Sequence, residues 1–461
     1  MRVNDLLERF QEESPIAVMA RLALEQILDG ERLDKLFQRH AVRQKCGELL
    51  FSTVADVMGL VALKIKPSVN AAYKHRTKEK VGVAIASIYN KLQGIESNVG
   101  RALVRETAKD LLTVVQCMPT ALQAPVLPGY KTRIVDGNHL AGTEHRIEEL
   151  RTLGAAALPG QCIAVLDPDH RLMLDVIPCE DGHASECTLF PQILELVHPG
   201  EVWIGDRRFG SQFMMTTMAL DKRSHFIFRH ALGLVPHWNP IGQRQKVGRT
   251  EDATLYEQSI EIQYQKRNLK LRRVTVKLDT PTRQGDGEIH ILTNLPHSVR
   301  AKKIAQAYRR RWNIETAFQQ LAQSLHSEIE TLGYPQAALF SFCMGIMMFN
   351  LLSTIKSAIA AAKGSPEVAD QVSTYFVALE ISESWRGLTI AINDEEFRSL
   401  YGKMTLQQLA RTMVSIAKHV NLARIRKSSR GPKKPPPKRK SGNRGNHVAT
   451  SRVLAKSRSP C

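Results

Sequence analysis

The residues best suited to chemistry lie in the run YRRRWNIETAFQQL, Tyr308 to Leu321, whose pattern predicts a helix. At about 100° per residue, Tyr308, Arg311 and Glu315 share one stripe, so a phenol, a guanidinium and a carboxylate face the same way. Ala307, Ile314, Phe318, Leu321 and Leu325 cluster about a quarter turn away, where a core-facing stripe belongs. The helix can bury one side and offer the other to a polar ligand, although a plain surface ion pair at i,i+4 spacing explains the same stripe. Two aspartates upstream tip the balance: Asp136 in RIVDGNH and Asp206 in WIGDRRF, each expected at or just beyond the end of a strand. Three carboxylates brought together repel one another unless a cation neutralises them, and all-oxygen ligation suits magnesium or manganese. Two such ions about 4 Å apart activate a hydroxyl nucleophile and stabilise the leaving oxygen, which is what displacing a phosphodiester requires.

These residues must be positioned by a sheet. Arg133 to Asp136 reads as a short strand; Cys162 to Leu166 and Arg171 to Ile177 flank the turn DPDH as a hairpin. A helix is expected over Ala184 to Val197, a fourth strand over Glu201 to Asp206, a helix from about Ser211 to Leu220 and a fifth strand over His225 to Arg229. Strands in sequence followed by strands alternating with helices predict an α/β fold, a mixed sheet covered by helices. From about Ala231 to Gly287 the plan breaks into alternating strands, Gln258 to Tyr264 and Leu269 to Leu278, a β-rich insertion whose basic face would carry Lys266, Arg267, Lys270, Arg272, Arg273 and Lys277. Ile289 to Thr293 returns to a buried strand, and the organising helix starts near Ser298.

The remainder reads as helix and tail. Residues 1 to about 117 show apolar positions at three and four, with Ser97 as an expected N-cap. MPTALQAPVLPGYK, three prolines and a glycine, is a linker, so the divisions fall at 1–130, 131–230, 231–288, 289–360, 361–425 and 426–461. The net charge of +19 is uneven: thirteen Lys and Arg and no acid stand between Arg424 and Cys461. That balance favours a polyanionic partner, nucleic acid before membrane, since no amphipathic anchor accompanies it. KHRTKEK, Lys74 to Lys80, is a second cluster able to grip phosphates, and a helix of this region could enter a major groove. The tail GPKKPPPKRKSGNRGN predicts disorder. Seven scattered cysteines suit a reducing, cytoplasmic interior. The apolar run Ala337 to Leu352 contains Ser341, Gly345 and Asn350, which predicts a buried helix rather than a membrane span.

Tyr308-x-x-Arg311-x-x-x-Glu315, with DGNH around Asp136 and DRRF after Asp206, resembles the signature of bacterial insertion-sequence transposases with an acidic DDE triad, specifically the insertion sequence four family. The resemblance covers roughly Arg133 to Leu352. It implies a ribonuclease-H-like core interrupted by a β-strand insertion, two divalent ions (Mg2+ or Mn2+) held by Asp136, Asp206 and Glu315, and DNA contacts from Tyr308, Arg311, Arg207 and Trp312. It also implies double-stranded transposon ends and target DNA as partners, a homodimer on that DNA, an N-terminal helical domain on the ends, and cleavage that passes through a DNA hairpin. Hairpin-forming members flip a base against aromatic side chains, for which Trp312 and Trp238 are the candidates. One position departs from the pattern: where the family carries a lysine seven residues after the Glu, this chain has Ala322, with Gln319 and His326 the substitutes on that stripe.

Other chemistry finds less support. Cys179, His183 and Cys187 in CEDGHASEC have zinc-like spacing but lack a fourth ligand. P-loop, dinucleotide and Gly-x-Ser fingerprints are absent. A stand-alone nuclease would use the same triad, and a DNA-binding remnant that has lost catalysis would account for Ala322.

Overall fold

The computed structural model describes residues 3–44, 47–75, 82–231, 233, 235, 237–282, 285–428 and 447–458. The N-terminal region is helical as its periodicity predicts, with helices at Val3–Glu13, Pro15–Ile27, Gly30–His40, Phe51–Ala62, Val69–His75, Ile85–Gly94 and Ser97–Gln116. Asp29 caps the third by accepting from Arg32 N. The last begins at the expected Ser97, but Glu96 takes the N-cap position, its carboxylate occupied by the backbone N–H groups of Val42 and Arg43. Most of KHRTKEK and the proline-rich basic run lie outside the described residues.

The pattern changes period at β1 (Lys131–His139), and β2 (Ala156–Leu158), β3 (Gln161–Asp167), β4 (Leu172–Cys179), β5 (Glu201–Gly205) and β6 (His225–Arg229) follow. The insertion contributes β7 (Asn239–Pro240), β8 (Gln245–Arg249), β9 (Ala253–Tyr264) and β10 (Arg267–Leu278), and β11 (Glu288–Thr293) returns. They form one sheet in the order β4-β3-β1-β5-β6-β11-β10-β9-β7, with β8 on β9 and only β2 apart. β1, β5 and β6 are parallel neighbours; β3 and β4 run antiparallel at one edge and β11, β10 and β9 at the other. The insertion therefore extends the central sheet through β11.

Alternation sorts the strand residues between two cores. Ile134, Ala164, Val176, Val202, Ile204 and Ile227 face the larger one, shared with the N-terminal helices and the helix Pro335–Ala362. Val135, Ile163, Ile177, Trp203, Phe226 and Phe228 face the smaller, under helices Phe190–Leu196 and Gln212–Thr216. The helix expected over Ala184 to Val197 is shorter: a 3₁₀ turn, Glu186–Leu189, precedes Phe190–Leu196. Pro335–Ala362 is long and apolar enough to cross a membrane, yet it is enclosed by protein. Asn350 on it is satisfied by donating to Met173 O and accepting from Met173 N, so its polar groups incur no burial penalty.

Two expectations need correcting. The insertion does not present all its cations as a basic face. Arg272 is buried, pairs with Glu257 at 2.8 Å and donates to the carbonyls of Leu295, Pro296 and Val299, clamping the approach to the helix Ala301–Arg309. Arg267 pairs with Asp221, and Arg273 lies over the Trp238 ring. Nor is the 426–461 region a featureless tail where it is described. His447–Ala449 forms β12, parallel to β2, and the helix Thr450–Arg458 follows, with Arg452 paired to Asp181.

Candidate active site

Sheet register places the two aspartates. The parallel pairing of β1 with β5 runs to Val135 opposite Gly205, so Asp136 and Asp206 are the next residues on adjacent strands and stand abreast. Side chains on a helix packed against β1 complete the group. The single helix expected from Ser298 through Leu321 is in fact two, Ala301–Arg309 and Trp312–Ser324. At the join, Arg310 N and Arg311 N donate three residues back, to Ala307 O and Tyr308 O, tightening one turn. Both residues remain in right-handed helical geometry, so Tyr308, Arg311 and Glu315 still meet. The break also separates neighbouring cations, with Arg309 paired to Asp252 of the insertion and Arg311 turned to Asp136.

Arg311 is the hub. Nη1 lies 2.9 Å from Asp136 Oδ2 and Nη2 2.5 Å from Glu315 Oε1, so one guanidinium bridges two carboxylates from different elements. Its side chain is 12% exposed and its buried Nε has no partner. Glu315 occupies the first turn of its helix, where the dipole favours negative charge. Asp136 Oδ1 accepts from Gly137 N, and Asp206 Oδ1 accepts from Arg208 N at 2.7 Å. Burial pushes the Asp136 carboxyl up to about 7; Arg311 opposes the shift, and the charges of Asp206 and Glu315 add to it. Burial also raises the Tyr308 phenol, against the pull of Arg311 and Arg229. Asp136 and Glu315 thus share one bridging cation while Asp206 adds its charge to the same field, a surplus of negative charge that invites another cation.

Carboxylates are the donor type that magnesium and manganese prefer. Among the described residues, no three His, Cys, Asp or Glu side chains are close enough to hold an ion as they stand, and the Arg311 guanidinium is the counter-charge between Asp136 and Glu315. The donor set fits a divalent ion by charge and chemistry, provided Arg311 turns aside.

Of the expected DNA contacts, Arg207 is exposed next to Asp206, and Trp312 is 61% exposed with Arg311 above its ring. Trp238 differs: it is half-buried, packed on the smaller core, with Arg273 over one face and His230 at its edge. Ala322 and Gln319 are exposed. His326 is a poor substitute cation, since burial and the charge of Lys64 hold its imidazole below the usual range. The end of that helix instead receives Lys64, whose Nζ donates to Gln323 O at 2.7 Å from the loop after Phe51–Ala62. Cys179, His183 and Cys187 gather no metal set; His183 bonds to His447 and Cys179 to the carbonyl of Asp181. The five described cysteines are free thiols.

One acidic residue escaped the sequence reading. Glu186 points at Gly137, and burial raises its carboxyl against the pull of Arg208, with Asp206 adding to the rise. The available signal was the glycine in DGNH, since glycine within a strand marks a close approach.

No curated protein matches the chain. Residues 127–351 match the family model described as transposase DDE domain. The matched span runs from just before β1 into the helix Pro335–Ala362, so Asp136, Asp206 and Glu315 lie within the part of the chain that is similar to transposase DDE domains.

Proposed function

We propose that the protein is the transposase of a bacterial insertion sequence of the insertion sequence four type, cutting DNA at the element's ends and joining them to a target. The observation that carries this reading is the Arg311 bridge between Asp136 and Glu315, with Asp206 following the last paired residue of β5 beside Asp136 on β1. Asp136, Asp206 and Glu315 would hold the magnesium or manganese ions, two in number, that supply an activated hydroxyl nucleophile and charge stabilisation at the leaving oxygen. Arg311, released from Asp136, takes up a DNA phosphate, as guanidinium geometry suits it to do. Tyr308 donates its phenol, kept protonated by burial, to the same backbone. Arg207 and Lys64 hold phosphates on either side, Lys64 standing in for the cation missing at Ala322. Exposed Trp312 offers a stacking face for an unpaired base in a hairpin step, whereas packed Trp238 does not. Holding two ends together calls for a homodimer on DNA, with the N-terminal helices on the ends.

A catalytically silent DNA-binding remnant is the second reading, favoured by Ala322. Incubation with Mg2+ and a duplex ending in the inverted repeats that flank the reading frame separates the two. The transposase reading expects strand cleavage by the parent and none by Asp136→Ala. Equal cutting by both would remove the active-site assignment, and no cutting by either would favour the remnant.

A further inference from the structure

Glu186 opens the 3₁₀ turn that leads into Phe190–Leu196, on the sheet face opposite the helix that bears Glu315. Its carboxylate nevertheless reaches back to β1, and it does so over Gly137. A Cβ at position 137 would collide with Glu186 Oε1 and lie 2.9 Å from its Cδ. Glycine is thus the residue that leaves this notch open, one position along the strand from Asp136. The side chain is 14% exposed, and its ion pair is to Arg208 Nε at 3.8 Å, a largely exposed partner that neutralises it weakly. Charge arithmetic gives the position a purpose: three carboxylates fall short of neutralising two divalent ions, and such ions each seek about six oxygen ligands.

Resting on the reading of Asp136, Asp206 and Glu315 as cation ligands, we propose that Glu186 is a fourth acidic member of the active site, admitted through the Gly137 notch so that a divalent cation meets carboxylates from both faces of the sheet. Gly137 is then a positioning residue, required for its missing side chain.

Calorimetric titration of Mn2+ into the full-length protein, without DNA, tests this. Glu186→Gln keeps the shape and is expected to weaken Mn2+ binding about tenfold or more, and Gly137→Ala to do the same by displacing the carboxylate; circular dichroism checks that each variant is folded. Arg208→Ala is expected to bind Mn2+ as the parent does. If Glu186→Gln binds like the parent, the proposal falls while the triad stands. If Glu186→Gln and Arg208→Ala lose affinity together, Glu186 serves only to hold Arg208 and the proposal falls again. If Asp136→Asn also binds like the parent, the triad reading itself fails and takes this extension with it.

Discussion

The strand ends at β1 and β5 and the insertion at β8 to β10 are built from the same charged residue types and use them in opposite ways. In the insertion, opposite charges are matched: Arg244 with Glu288, Arg249 with Asp279, Arg267 with Asp221 and Arg272 with Glu257, at 2.6 to 2.8 Å. At the strand ends, Asp136 and Glu315 divide one arginine while Asp206 adds a further charge to the same field. Matched pairs spend their charge on holding the fold; an unmatched cluster keeps charge in reserve for a ligand. Charge count alone therefore does not separate structure from function, whereas charge balance within one neighbourhood does.

Removing acids from the unmatched cluster gives the largest expected effect. Asp206→Ala or Glu315→Ala should lower metal-dependent cleavage of end-bearing DNA by about 10³-fold or more, since several kcal/mol of transition-state charge stabilisation are lost. Their urea melting curves should stay close to the parent. A gel assay showing near-parental rates for either variant would break the contrast between the two regions.

The converse holds for Arg272. Removing it leaves the largely buried Glu257 with only the exposed His297 beside it and frees three carbonyls that precede the helix Ala301–Arg309. Arg272→Ala should cost about 3–5 kcal/mol of folding stability, read as a lower urea midpoint. An unchanged midpoint would show that this pair is not structural.

How far these roles were legible in the sequence depends on how local their cause is. Strand and helix periodicity reveals β5 and β6 and the first part of β1, although β1 runs on past Asp136 to His139, because burial on a pleated sheet writes its period into the chain. The i,i+4 relation of Arg311 to Glu315 is equally local. Arg272 was misjudged as part of a basic face because its partner Glu257 is set by pairing with β9, which a linear reading does not supply. Glu186 stands among two cysteines and a histidine whose spacing points to zinc instead. Its importance depends on Gly137, forty-nine positions away. Lys64 behind Ala322 is the same kind of miss, a cation delivered by a distant loop.

Ionisation of Asp136 gives a subtler contrast. Its carboxyl is raised to about 7 in the fold, chiefly by burial, so the folded state favours the protonated form. The sign follows from linkage: this preference is fully expressed below the unfolded value of 3.8 and is lost as pH rises towards 7, where holding the charge costs stability. Asp136→Asn should match the parent's thermal midpoint near pH 4 and exceed it above pH 7, with about 4 kcal/mol as the ceiling on the gain. Added Mn2+ should raise the parent's midpoint and not the variant's. A variant less stable than the parent at pH 8 would mean that the Arg311 pair outweighs the burial cost.

The smallest effect belongs to the exposed matched pairs. Arg249 and Asp279 meet at 2.7 Å with both side chains about half exposed, where solvent screening leaves a pair worth less than about 1 kcal/mol. Asp279→Ala should shift the urea midpoint barely at all in low salt and not measurably in high salt, because the ions screen what remains. It should also leave Arg249 free for DNA. A duplex-binding titration then sharpens the comparison: if affinity for non-specific DNA rises in Asp279→Ala, with a steeper dependence on salt, the insertion's pairing is masking a cationic surface. If affinity stays level, the pairing serves the fold alone.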